Sequence, residues 1–204
     1  MRKSDMITII RIAMVIISSF LLLASNPLNI LGLIMIPAVF FLDYLDGFFA
    51  RMEKEEEYGK RLDVAGDRIV EYVYYFIFSI EKLIPIFIFP IIIVRNCLVD
   101  SFFYTKEKNF STTKTEFAKS VSSSYVARGI YAILKMVTFF YFGCILVGFN
   151  LSLLIGYILL SITVIFSIVR GVADLYEAFQ SRRQKRNKKT KNLNITFAKV
   201  YLWE

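Results

Sequence analysis

Long apolar runs alternate along this chain with short polar breaks that carry most of its charge. Six apolar stretches fall near 6–25, 28–51, 62–80, 84–104, 124–147 and 150–177. Each reaches the roughly 20 residues that a helix needs to cross the hydrocarbon core of a bilayer. The pattern predicts an all-α integral membrane bundle of six transmembrane helices. The first stretch follows Arg2 and Lys3, as the apolar part of a secretory signal does. Arg11 interrupts it, however, and no small-residue cleavage site follows, so a retained helix is expected.

Lys and Arg are spread unevenly between the two sets of connections. With the N-terminus inside, the inner segments 1–5, 51–61, 105–123 and 178–204 hold Arg2, Lys3, Arg51, Lys54, Lys60, Arg61, Lys106, Lys108, Lys114, Lys119 and a basic tail. The outer turns, near 26–27, 81–83 and 148–149, hold only Lys82. This bias predicts that both termini are cytoplasmic. The run from Arg182 to Lys191 sets off a basic cytoplasmic tail, 181–204, from a membrane domain of residues 1–180. The tail reads as a positive anchor at an anionic membrane surface. No stacking aromatics interleave its charges, so nucleic acid is not an expected partner.

Composition narrows the chemistry. Of 204 residues, 56% are hydrophobic, which a soluble domain of this size would not carry. The net charge of +8 sits at segment ends and in the tail, as expected beside an anionic bilayer. There is no His, which excludes His-based nucleophile pairs and His-ligated metal. Cys97 and Cys144 lie in apolar runs and read as lone buried thiols. Catalysis is left to carboxylates, hydroxyls, Lys, Arg and hard metals bound through oxygen.

Carboxylates in apolar segments are expensive, so their positions are informative. Asp43 and Asp46 lie near the inner end of the second stretch, three residues apart and on one helical face. Asp63 and Asp67 open the third, four apart and again on one face. With only a short polar loop between, two antiparallel helices would gather all four at the cytoplasmic boundary. Four carboxylates need cations, and oxygen donors suit Mg²⁺ or Mn²⁺. Two such ions would clamp a diphosphate during in-line displacement. Gly47, Ala50 and Gly59 leave room for a nucleotide beside them, and Arg51 adds a cation for a phosphate. The structural alternative is four Asp paired with neighbouring Lys and Arg at an interface.

The stretch from Asp43 to Asp67 reads DYLDGFFAR, seven further residues, then GKRLDVAGD. It resembles the DxxDGxxAR…GxxxDxxxD signature of the CDP-alcohol phosphatidyltransferases, with Asp43, Asp46, Gly47, Ala50, Arg51, Gly59, Asp63 and Asp67 at the fixed positions. The resemblance implies a metal-dependent transfer of a phosphatidyl-type group from a CDP-linked lipid to an alcohol, with release of CMP. It implies metal ligation by Asp43, Asp46, Asp63 and Asp67, contacts to CDP from Asp43, Asp46, Gly47, Ala50, Arg51, Gly59 and Asp63, and a catalytic base at Asp67. A multi-pass enzyme in the cell membrane, its site facing the cytoplasm and its assembly a homodimer, is also implied. Asp5 to Arg11, DMITIIR, is similar to the PNxxTxxR pattern that often opens such enzymes: Thr8 and Arg11 match, Asp5 replaces Asn, and the Pro is missing.

Further cations lie within apolar stretches: Arg95, Arg128, Lys135 and Arg170. An anionic acceptor would explain Arg95, Arg128 and Lys135 as phosphate ligands. Pairing with Asp100 or Asp174, or snorkelling, is the alternative, and Arg170 with Asp174 has the spacing of an internal helix pair. Val94 to Ser101 resembles the corresponding helix of phosphatidylglycerophosphate synthases, although Asn96 stands where an acidic residue is usual. Glycerol 3-phosphate is therefore the first expectation for the acceptor, then inositol phosphate, then an alcohol such as serine. Two other classes compete: a cation transporter and a non-catalytic membrane scaffold. Transporter sites sit nearer the midplane and often between repeated halves, which this sequence lacks; a scaffold would not need all eight signature positions.

Overall fold

The computed structural model describes residues 3–52, 57–103 and 125–201, the side chains of 3, 48–57, 60, 102–128 and most of those beyond 176 excepted. The described residues form six α-helices and no strand: α1 Lys3–Leu22, α2 Leu28–Met52, α3 Glu57–Ile80, α4 Ile88–Phe103, α5 Tyr125–Val147 and α6 Leu153–Tyr201. Local chemistry sets their ends. Ser25, Asn26 and Pro27 separate α1 from α2. Gly148 ends α5 with φ +103°, a backbone state that favours Gly, and the amides of Gly148 and Phe149 bond back to the carbonyls of Ile145 and Cys144 at 3.1 and 3.0 Å.

Among the described residues, four segments are long and apolar enough to cross a bilayer: Ser4–Leu22, Leu28–Gly47, Gly129–Val147 and Leu153–Tyr176. The sequence pattern predicts six, and α3 and α4 lie outside this set. α3 carries Arg61, Asp63, Asp67 and Arg68 in its first half and Glu71 just beyond it. α4 is described over 16 residues, about 24 Å of helix, up to Phe103, where the described residues stop. α6 has 49 residues, so the helix continues through the basic run that the sequence sets apart as a tail.

α1 packs most extensively on α2 and also lies against α3; α5 packs on α2 and α6, and α4 on α3 and α6. The core is aromatic. Fully buried Phe139 of α5 meets Tyr75 edge-on at 4.9 Å, Tyr74 at 5.3 Å, and Phe40 and Phe78 at 6.2 Å. Outward-facing Phe20, Leu31, Ile34, Ile133, Leu154 and Ile165 are exposed. An apolar exterior of this kind belongs against lipid rather than water.

The α1–α2 contact is a backbone contact. A Cβ on Gly32 would stand 2.6 Å from the Leu22 amide nitrogen and 3.0 Å from the Ser18 carbonyl oxygen. The Ser18 hydroxyl donates to the Gly32 carbonyl at 2.9 Å and lies 3.3 Å from the Tyr74 hydroxyl. Small residues let membrane helices approach this closely. Gly32→Ala is therefore expected to destabilise the folded protein by about 1–3 kcal/mol through overpacking. Gly129→Ala, where a Cβ would meet nothing within 4 Å, is expected to be neutral or to gain up to about 1 kcal/mol of helix propensity. Thermal unfolding of both variants in one detergent checks the contrast.

Candidate active site

Three helices build the carboxylate cluster. The end of α2 supplies Asp43 and Asp46, the start of α3 supplies Asp63 and Asp67, and α1 lies against both. Carboxylate oxygens of Asp43, Asp63 and Asp67 come within 4.8 Å of one another. Asp46 is outside this trio: it is 3% exposed and accepts a hydrogen bond from the Thr8 hydroxyl.

Arg11 is the counter-charge. Its side chain is 1% exposed, Nη1 pairs with Asp43, and Nη2 lies 3.1 Å from Asp67 Oδ1 and 3.5 Å from Asp63 Oδ1. The three carboxylates are 34–51% exposed. The guanidinium thus closes the cluster from below while the outer side stays open. α1 approaches closely enough only because Gly66 has no side chain: a Cβ there would stand 2.7 Å from Thr8 Cγ2 and 2.8 Å from Arg11 Nη2. Thr8 and Arg11, which the sequence marks only as an echo of a pattern, are parts of the site.

These residues fit a divalent cation. The three carboxylates, counted as ionised, carry three negative charges against one on Arg11, leaving about two to be met. The donors are hard oxygens without His or thiolate, the set that Mg²⁺ and Mn²⁺ prefer. A Cβ on Gly47 would meet nothing within 4 Å, although Gly47 lines the adjoining cavity. No protein atom fills that space, so it is open to a ligand.

The cavity, about 390 Å³, joins this cluster to a cationic group. Arg11, Asp43, Gly47, Asp63 and Asp67 line it, and so do Arg68, Arg95, Lys135 and Arg170. Arg95 and Lys135, two of the predicted phosphate ligands, therefore reach the same space as the carboxylates. Asp174 lines it beside Arg170. Asp100, the alternative partner for those cations, is taken by Arg68, with Nε–Oδ2 at 3.1 Å and Nη2–Oδ1 at 2.9 Å. Of the remaining sequence candidates, Gly59 is buried in α3. Ala50 and Arg51 in α2 and Arg128 in α5 have side chains outside the described residues.

Sequence reasoning missed Arg68, Glu71, Gly66 and Tyr131. Glu71 had a signal: it continues the four-residue spacing of Asp63 and Asp67 into an apolar run. Gly66 and Tyr131 had none, because their roles depend on which helix crosses which.

No curated protein matches the chain. The profile of the CDP-alcohol phosphatidyltransferase family matches residues 1–169, from α1 into the first part of α6. Its members are transferases of substituted phosphate groups in phospholipid synthesis, generally metal-dependent, which move a group from a CDP-alcohol to an alcohol acceptor. The match covers well over half of the sequence and takes in the whole carboxylate cluster, and on that ground the chain belongs to the CDP-alcohol phosphatidyltransferase family.

Proposed function

We propose that the chain transfers a phosphatidyl-type group from a CDP-linked lipid to a phosphate-bearing alcohol, glycerol 3-phosphate first, as in phosphatidylglycerophosphate synthases. One observation carries this reading: a single cavity is lined both by Asp43, Asp63 and Asp67 and by Arg95, Lys135 and Arg170. The reaction brings together a diphosphate and, on this reading, a second phosphate. Carboxylates need bridging cations to hold the first, whereas Arg and Lys hold the second directly.

In this reading Asp43, Asp46, Asp63 and Asp67 would hold two divalent ions, Mg²⁺ or Mn²⁺, for the CDP diphosphate. Bound there, the ions would neutralise the diphosphate and polarise its phosphoryl oxygens. Gly47, Ala50, Arg51 and Gly59 accommodate the nucleotide. Asp67 takes the proton from the acceptor hydroxyl as its oxygen bonds to the lipid-bearing phosphorus. The bond from that phosphorus to the CMP oxygen breaks, and CMP leaves. Arg95 and Lys135, with Arg128, hold the acceptor phosphate.

The same reading places six spans in the cell membrane, with both termini and the site on the cytoplasmic side, as the Lys and Arg bias supports. α3 suits a span despite its charges, since Val64, Phe76 and Ile80 are exposed while Glu71 is buried. Residues 1–180 form the catalytic domain and 181–204 a basic tail at the membrane surface. A homodimer is the assembly we infer from the family resemblance.

CMP release by the purified protein with CDP-diacylglycerol tests the reading, with glycerol 3-phosphate, inositol phosphate and serine offered separately. Release is expected with a phosphate-bearing acceptor and should be lost in EDTA; release with serine alone would overturn the acceptor assignment. Asp67→Asn is expected to lower kcat by about 10²–10⁴-fold, the range for losing a general base. Arg95→Ala is expected to raise the acceptor KM by about 10–100-fold, the value of hydrogen bonds to a charged group, while the donor KM stays within about twofold. Equal effects on both KM values would remove Arg95 from the acceptor site.

A further inference from the structure

Glu71 is buried behind the cationic part of the cavity and does not line it. Its side chain is 1% exposed, one helical turn beyond Asp67. A carboxylate buried this far is tolerated only when its oxygens are answered. Oε1 accepts from the Tyr131 hydroxyl at 2.8 Å. Oε2 accepts from Asn96 Nδ2 at 3.0 Å and lies 3.8 Å from Arg68 Nη1. The Tyr131 hydroxyl is also 2.9 Å from Ser167 Oγ. One carboxylate on α3 thus gathers α4, α5 and, through Tyr131, α6.

Each partner leads to a cation of the cavity. Asn96 Oδ1 accepts from Arg95 Nη1 at 2.6 Å. The Tyr131 ring has Lys135 Nζ 4.6 Å and Arg170 Cζ 5.5 Å from its centre. Arg68 is reached directly. Arg95 is confined on its other side, where its Nε is buried without a hydrogen-bond partner and a Cβ on Gly171 would stand 2.5 Å from it. Four like charges around one cavity repel one another, and their side chains have many rotamers. A phosphate is held well only when the donors are fixed in advance.

We propose that Glu71 is a positioning residue for acceptor recognition: it never touches the acceptor, but it orients Arg95 through Asn96, and Tyr131 beside Lys135 and Arg170, so that they present fixed donors to a phosphate. The inference rests on the reading of a phosphate-bearing acceptor given above. Its chemical core is direction. An ionised carboxylate only accepts, so Glu71 turns the Asn96 amide with its NH₂ inward and its oxygen toward Arg95. Glu71→Gln leaves one acceptor oxygen for two neighbours and removes the charge. With that oxygen on Tyr131, the new NH₂ opposes the Asn96 NH₂, and the amide turns a donor toward Arg95; with it on Asn96, the NH₂ donates to the Tyr131 hydroxyl, whose proton passes to Ser167 Oγ, and Asn96 is held by a neutral amide in place of a carboxylate. Adding Asn96→Asp restores an acceptor for both neighbours and moves the negative charge by one residue without losing it.

The test measures kcat, both KM values and the thermal midpoint for full-length wild type, Glu71→Gln and Glu71→Gln/Asn96→Asp, with CDP-diacylglycerol and glycerol 3-phosphate. Glu71→Gln is expected to raise the acceptor KM about tenfold or more, the loss of a hydrogen bond to a charged group, with the donor KM within about twofold. The double variant is expected to return the acceptor KM to within about threefold of wild type. An unmoved acceptor KM in Glu71→Gln, parallel rises in both KM values with a fallen midpoint, or no recovery in the double variant would overturn the role. Should Glu71→Gln not fold, the double variant decides alone: a wild-type-like acceptor KM supports the role, and a raised one overturns it. The wild-type arm separates the two levels of inference. Wild type that releases CMP only with serine defeats the acceptor reading and this role with it. Wild type that turns over glycerol 3-phosphate, combined with an unmoved variant, defeats the role of Glu71 alone.

Discussion

Charge inside a low-dielectric bundle has to be answered locally, and among the described residues much of it is answered across helices. Arg11 on α1 faces Asp43 on α2 and Asp63 and Asp67 on α3. Arg68 on α3 faces Asp100 on α4. Glu71 on α3 is bonded to Asn96 on α4 and Tyr131 on α5. α3 takes part in every one of these pairings. It is the helix whose charges set it apart from the apolar spans, and through them it is tied to α1, α2, α4 and α5. An isolated charge on any of them would cost several kcal/mol in such surroundings, so the pairings also select which faces can pack together.

The consequence is a cavity with two electrostatic characters. Around Asp43, Asp63 and Asp67 negative charge exceeds what Arg11 supplies, an excess that a divalent cation could offset. Around Arg95, Lys135 and Arg170 cations gather, with Glu71 buried out of contact with the cavity. A CDP-alcohol transferase has to hold a diphosphate steady while an incoming hydroxyl approaches it. On the proposed reading, a cation-bridged site and a directly cationic site side by side would hold two phosphate-bearing molecules without forcing them onto the same donors. Close helix contacts make this geometry reproducible. Gly66 admits Thr8 and Arg11 to the carboxylates, and Gly171 lets Arg95 lie against α6. Arg170, Gly171 and Asp174 lie past the end of the family match at residue 169, so part of the cavity wall is built from sequence outside it.

Much of this was legible in the sequence, because membrane burial restricts what an apolar run and a charged residue can mean. The helical class follows from the lengths of the apolar stretches. The three- and four-residue spacings of Asp43, Asp46, Asp63 and Asp67 dictate shared faces, since those intervals are fixed by 3.6 residues per turn. The lack of His restricts any metal site to oxygen donors. These are properties of composition and of short spacings, and they hold whatever the bundle looks like. Tertiary structure alone decided the rest. It split the four carboxylates into an open trio and a buried Asp46 bonded to Thr8, and it put Arg11 beneath the trio. It gave Asp100 to Arg68 rather than to Arg95, and it joined Glu71 to residues 25 and 60 positions away. Such pairings depend on crossing angles and on which side chains are small at the crossing, and no local spacing encodes them.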